Sequence, residues 1–168
     1  MKISYRPEID TLRAISVIGV IIYHAKINIL GYWIFPGGYY GVDIFFLISG
    51  YLITSVIHRE LEKTGKFSFI NFYIKRARRI LPALLFVVLA CIPFAWIYLM
   101  PTSFIDFSKS ILSSLTFVSN FYFYITGLEY GAENGLLKPL LHTWSLSVEE
   151  QFYILFPILF FLIFRFFK

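Results

Sequence analysis

The sequence predicts an all-α fold, a polytopic bundle of transmembrane helices. Three observations predict it. Hydrophobic residues make up 58% of the chain and charged residues only 15%, and the mean hydropathy is +0.73, more apolar surface than one soluble core can bury. Apolar stretches of roughly 20 residues, enough to cross about 30 Å of hydrocarbon as helix, recur along the chain. The short alternating segments of a membrane barrel do not.

The first span is expected from Leu12 to Leu30. The N-terminus "MKISYRPEIDTLRA" carries charges of both signs, and no small-residue cleavage site follows the first apolar run, so a cleaved signal peptide is not expected. The link "GYWIFPGGYYG" then turns the chain at a membrane surface, with Trp33, Tyr39 and Tyr40 suited to the headgroup level. A second span, Val42 to Ile57, is slightly short unless the helix extends into its flanks. The stretch "HRELEKTGKFSFINFYIKRARR" reads as a charged loop holding Arg59, Lys63, Lys66, Lys75, Arg76, Arg78 and Arg79. Short loops dense in Lys and Arg stay in the cytoplasm, which places the N-terminus, with Lys2, Arg6 and Arg13, on that side too.

A third span is expected from Ile80 to Met100, with Pro82 in its first turn and Pro93 as a kink. Segment four, Phe104 to Thr126, mixes Asp106, Lys109, Asn120 and several serines into apolar positions. The final span, Leu146 to Phe164, ends in "RFFK", and Arg165 with Lys168 would prefer the cytoplasm, which requires an even number of crossings. The expectation is therefore four spans plus one interfacial or re-entrant segment. The rival arrangement has five spans and puts "GLEYGAENGLLKPLLHTWS" inside. Because the chain stops directly after an apolar span, it is expected to be either a truncated gene product or a piece of something longer.

The formal charge is +5, but the basic residues cluster between apolar segments without aromatic interleaving, so they mark membrane orientation and not a nucleic-acid surface. One cysteine, Cys91, excludes an intrachain disulfide and a cysteine-based metal site, and no metal is expected.

Arg13 and His24 bracket the apolar run "LRAISVIGVIIYHA". Eleven residues of helix turn through about 1100°, so the two side chains share a face within roughly 20° while standing about 16 Å apart along the axis. An intramembrane ionisable group is expensive to keep, which marks His24 as a candidate general base or acyl-handling residue. Asp43 heads the second span and fits a helix-capping role, and Ser49-Gly50 fits close helix packing. In "LLHTWSLSVEEQFYILFP", Ser147 and Glu150 match the S-x-x-E capping box, which makes Glu150 a helix-start device. Glu149, at the second position of that helix, with His142 just before it and Ser145 one turn away, is placed to orient or activate a histidine.

The R-x10-H spacing of Arg13 and His24, "GVDIFFLISGYLIT", "FYIKRARRILPAL" and "HTWSLSVEEQFY", in this order over nearly the whole chain, resemble the integral-membrane acyltransferase 3 family. That family includes bacterial O-acetylases that modify surface polysaccharides and peptidoglycan. The resemblance covers only the N-terminal half of a family membrane domain. It implies acyl-CoA, chiefly acetyl-CoA, as donor substrate at the cytoplasmic face, with no permanently bound cofactor, and a carbohydrate hydroxyl as acceptor at the outer face. It also implies that Arg13 and His24 belong to the donor site, with Asp43, Arg79, His142, Ser145 and Glu149 near the transfer path. Arg76, Arg78 and Arg79 join Arg13 as candidates for CoA phosphates, because guanidinium groups make bidentate phosphate contacts. The partners expected are then the inner-membrane bilayer, acyl-CoA, the carbohydrate acceptor and the remaining half of the domain. Two other readings compete: a non-catalytic membrane protein, either truncated or a scaffold subunit, and a transporter fragment in which His24 and Glu149 relay protons. CoA binding separates them.

Overall fold

The computed structural model describes residues 6–30, 32–129 and 135–166. Lys2, Lys168 and residues 130–134, which bear on orientation above, lie outside the described residues. The described elements are α1 (Pro7–Ala25), a two-stranded ribbon of β1 (Asn28–Ile29) and β2 (Tyr32–Trp33), α2 (Tyr40–Thr64), α3 (Phe69–Tyr98), α4 (Pro101–Leu115), α5 (Ser119–Leu128), a 3-10 turn (Gly135–Leu137) and α6 (Thr143–Phe166). The fold is an all-α membrane helix bundle. Helices α2, α3 and α6, of 25, 30 and 24 residues, are long and apolar enough to cross a membrane. The chain forms two compact units, residues 1–67 and 68–168.

In the first unit α1 starts on Pro7, where a missing N–H costs nothing. It ends sooner than its hydropathy implies. Lys26 adopts a left-handed conformation (φ 47°) and its N–H closes onto the Tyr23 carbonyl, and the following residues pair as the ribbon, Asn28 opposite Trp33 and Ile29 opposite Tyr32. The first span expected up to Leu30 therefore stops at Ala25, because the chain has to reverse to meet α2. The two helices are antiparallel in a constant register: Arg6 donates to the Tyr51 hydroxyl at 2.7 Å, Gly41 lies against Ser16, and Gly38 against Gly19. Glycine is needed at both contacts. A Cβ on Gly38 would stand 2.2 Å from the Gly19 carbonyl oxygen, and one on Gly41 2.5 Å from that of Ser16. Helix α2 runs on to Thr64, where Gly65 (φ 65°) caps it through Leu61.

The second unit corrects three expectations. Helix α3 begins at Phe69, so the supposed loop carrying Lys75 to Arg79 is helical, and Pro82 lies well inside the helix and not in its first turn. Hydropathy marks where a helix becomes apolar; it is blind to charged turns projecting beyond the bilayer. Pro82 and Pro93 supply no N–H, which frees the carbonyls of Arg78 and Leu89. Segment four is two helices, α4 and α5, that double back on each other, with Tyr122 of α5 donating to the Asp106 carbonyl of α4 at 3.0 Å. The sequence predicts one interfacial or re-entrant segment from Phe104 to Thr126; two helices stand there in place of one. The tip between them, residues 116–118, holds Phe117 in a left-handed conformation (φ 56°) that an aromatic residue rarely adopts. Helix α6 begins at Thr143, a turn before the capping box, so Ser147 and Glu150 are interior residues and Glu149 sits about two turns in.

A core of Leu84, Val88, Ala95, Phe107, Phe123 and Leu140 joins α3 to the α4–α5 hairpin. Helix α6 holds the hairpin through polar groups. The Ser114 and Thr143 hydroxyls are 2.8 Å apart, Thr143 also lies 3.0 Å from Ser119, and Ser119 is 2.7 Å from Ser147. Ser147 does cap a helix, but another one: its Oγ accepts the backbone N–H of Ser119 at the start of α5. Gln151 donates to the Phe117 carbonyl at 2.8 Å and exchanges amide hydrogen bonds with Asn120.

Candidate functional site

Within the first unit α1 carries Arg13 and His24. The face of α1 against α2 is centred on the buried Ser16 and Gly19. Both Arg13 and His24 lie off that centre by roughly 90–110° in the same sense, as the 100° helical step requires. Arg13 is half-buried, its Nη1 3.9 Å from Asp10 on the same helix. His24 is exposed and its Nδ1 is 2.9 Å from the Val20 carbonyl. A carbonyl oxygen only accepts, so Nδ1 carries the proton, and in the neutral ring Nε2 is left as the basic nitrogen. The Tyr23 ring meets His24 edge-on at 5.2 Å and stacks on Trp33. Tyr39 and Tyr40 continue this aromatic cluster. Asp43 is exposed in the first turn of α2, and the α1–α2 register puts it level with Ala14, beside Arg13 in height.

The second unit gathers a different set. The Arg76 guanidinium stacks on the Tyr153 ring, 3.4 Å from its centroid, and the Tyr153 hydroxyl donates to Glu149 Oε1. One buried tyrosine thus joins a cation of α3 to a carboxylate of α6. Next to it Glu150 is 7% exposed, and its Oε1 has no hydrogen-bond partner among the described residues. Arg76, Arg79 and Glu149 are the charged groups within electrostatic reach of Glu150. Arg78 and Arg79 are exposed on α3. His142 is exposed just before α6, and its carbonyl accepts from Ser145 Oγ at 3.2 Å.

The structure therefore brings together Arg76, Arg79 and Glu149 of the expected residues, and pairs Ser145 with the backbone of His142. Arg13, His24 and Asp43 belong to the other unit. Sequence reasoning missed Glu150, Tyr153 and Gln151. The signal was available: Thr143, Ser147 and Glu150 are spaced i, i+4, i+7, one polar face of a helix that starts a turn early. Among the described residues no group of three or more acidic, histidine or cysteine side chains is placed to hold a metal ion.

A comparison with protein families matches residues 6–168 to the acyltransferase 3 family, described as an acyltransferase domain. The chain is 40% identical to the O-acetyltransferase OatA of Staphylococcus aureus (strain NCTC 8325 / PS 47) over 163 residues, 96% of this chain and 26% of that protein. It is 41% identical over 158 residues to SAS0844 of Staphylococcus aureus (strain MSSA476), covering 94% of this chain and 25% of that protein. The chain thus spans about a quarter of the length of these curated relatives. No solved structure matches it. A family match over residues 6–168 means that the chain belongs to the acyltransferase 3 family.

Proposed function

We propose that this chain forms the donor-handling part of a membrane O-acyltransferase that moves an acyl group, chiefly acetyl, from acyl-CoA to a hydroxyl of a cell-envelope carbohydrate. The observation that carries the reading is the α1 pair. His24 presents a basic Nε2 with its other nitrogen tied to the Val20 carbonyl, and Arg13 lies on the same flank about 16 Å away along the helix. An extended pantetheine arm covers such a span, with Arg13 at the phosphate end and His24 at the thioester. The acceptor oxygen attacks the thioester carbonyl, its proton passes to His24 Nε2, and the carbon–sulfur bond breaks to release CoA thiolate, which recovers the proton. The Arg76, Arg78 and Arg79 run is the second candidate for phosphate contact. Glu149 and His142 act on the transfer path, Glu149 held in position by Tyr153, with Asp43 and Ser145 in support. The reading places the protein in the bacterial inner membrane with its N-terminus in the cytoplasm, since the lysines and arginines from Arg59 to Arg79 favour that side.

The test is a chimera in which this chain replaces the matching segment of OatA, with envelope O-acetylation and acetyl-CoA binding as readouts. His24→Gln keeps volume and hydrogen bonding but loses proton acceptance. It is expected to lower acetylation at least 100-fold at unchanged protein abundance, within the range that general-base catalysis contributes. Arg13→Lys, which loses the bidentate fork, is expected to weaken acetyl-CoA binding. Acetylation that survives His24→Gln would remove the catalytic role and leave a structural histidine.

A further inference from the structure

We propose that the cavity between α4, α5 and the Gly135–Leu137 turn is a sugar-binding pocket, the acceptor subsite of the reaction inferred above, on which this assignment rests. Its volume is about 390 Å³, at the lower end of the roughly 300–1,000 Å³ typical of small-ligand sites. The floor is firm. Phe107, Ser110 and Phe123, which are 3%, 4% and 8% exposed, close it from below, and the Tyr122 hydroxyl ties the two helices together at the Asp106 carbonyl.

The chemistry of the walls selects the ligand class. Among the described lining residues the charged ones are two carboxylates, Asp106 and Glu129, and one ammonium, Lys138. With Lys109 on Asp106, the described wall sets two carboxylates against two ammonium groups and has no arginine, so it offers the CoA phosphates no guanidinium cluster to bind. Two carboxylates beside a lysine are also too few ligands for a divalent cation, which takes six or more oxygens. An acyl chain would set the carboxylates of Asp106 and Glu129 and the ammonium of Lys138 against hydrocarbon. A neutral polyhydroxyl ring meets none of these objections. Its hydroxyls donate to Asp106 and Glu129 and accept from Lys138, while its C–H face rests on the Phe107 and Phe123 side. Asp106 Oδ1 accepts from Lys109 at 3.1 Å, an exposed contact.

The position in the unit fits an acceptor. The cavity lies at the open end of the α4–α5 hairpin, near Met100 and Glu129, whereas the hairpin tip is held by Gln151, which neighbours the Glu149–Tyr153–Arg76 cluster on α6. The hydroxyl-rich pocket and the arginine run thus occupy opposite ends of the same hairpin. A sugar and a phosphorylated donor would approach from opposite sides.

The experiment uses the whole chain in lipid nanodiscs and N,N′-diacetylchitobiose as probe, followed by saturation-transfer NMR, with sorbitol as an acyclic polyol and inorganic phosphate as an anion. Saturable binding of the disaccharide is expected, weakened at least tenfold by Asp106→Asn and by Glu129→Gln. Both residues are exposed, so unfolding midpoints should hold. Absence of saturable disaccharide binding, equal binding of sorbitol or phosphate, or binding indifferent to both substitutions would overturn the pocket. Acetylation by the OatA chimera reports separately. If the chimera acetylates while the disaccharide fails to bind, the pocket alone falls; if the disaccharide binds and acetyl-CoA does not, the donor reading falls and the sugar site stands.

Discussion

Tyr153 does two jobs with one ring: its face carries Arg76 and its hydroxyl holds Glu149. Substitution can separate them. Tyr153→Phe keeps the face and loses the hydrogen bond, so the expected cost is about 1 kcal/mol of unfolding free energy. Tyr153→Leu also loses the cation–π contact and leaves a void where the ring was buried, for an expected total of about 2–4 kcal/mol. Chemical unfolding in detergent checks both values. Equal losses in the two variants would show that the ring face contributes nothing. Glu150 lies one residue from Glu149 yet has no matching arrangement. Among the described residues nothing hydrogen-bonds its Oε1, a condition that native structures keep for few buried groups.

At the scale of elements, the α1–α2 pair depends on glycine where the backbones touch and not elsewhere. Gly38→Ala must push a methyl group into the Gly19 carbonyl, an overpacking expected to cost about 1–3 kcal/mol or more. Gly50, in the same unit, has open space around its missing Cβ, so Gly50→Ala is expected to stabilise α2 by about 0.5–1 kcal/mol through lost chain entropy. Thermal unfolding of the two variants should therefore shift in opposite directions. The sequence made these elements legible unevenly. The apolar centres of α2, α3 and α6 were plain, because burial in lipid demands continuous hydrocarbon. Their ends were not: His58 to Thr64 and Phe69 to Arg79 are helical beyond the apolar part, and only capping geometry marks where such turns stop. Asn120 and the serines of segment four announced an unusual element correctly, since a simple span has no use for them. The S-x-x-E pattern misled because Ser147 serves α5, a contact across the bundle that no local motif encodes.

For the whole molecule, the uneven distribution of basic residues sets an expected orientation. In a Cys91→Ala background, Tyr32→Cys should react with an impermeant thiol reagent added to intact cells, and Lys66→Cys should react only after permeabilisation. Labelling of Lys66→Cys from outside would reverse the orientation. A mechanical property follows from the way α3 meets α6. Helices α5 and α6 approach closely along their backbones, whereas α3 and α6 are joined at a distance by long side chains: Phe69 edge-on to Phe161, the Tyr73 hydroxyl on the Ile154 carbonyl, and Arg76 over Tyr153. Backbone contacts of the glycine kind are rigid, since nothing in them can rotate away. A seam of aromatic and guanidinium groups is compliant: each strut has rotatable bonds, and the distance it spans changes with its rotamer. The α3–α6 seam is therefore a compliant joint of its unit. Because Tyr153 is one of its struts, any widening there pulls directly on the carboxylate of Glu149.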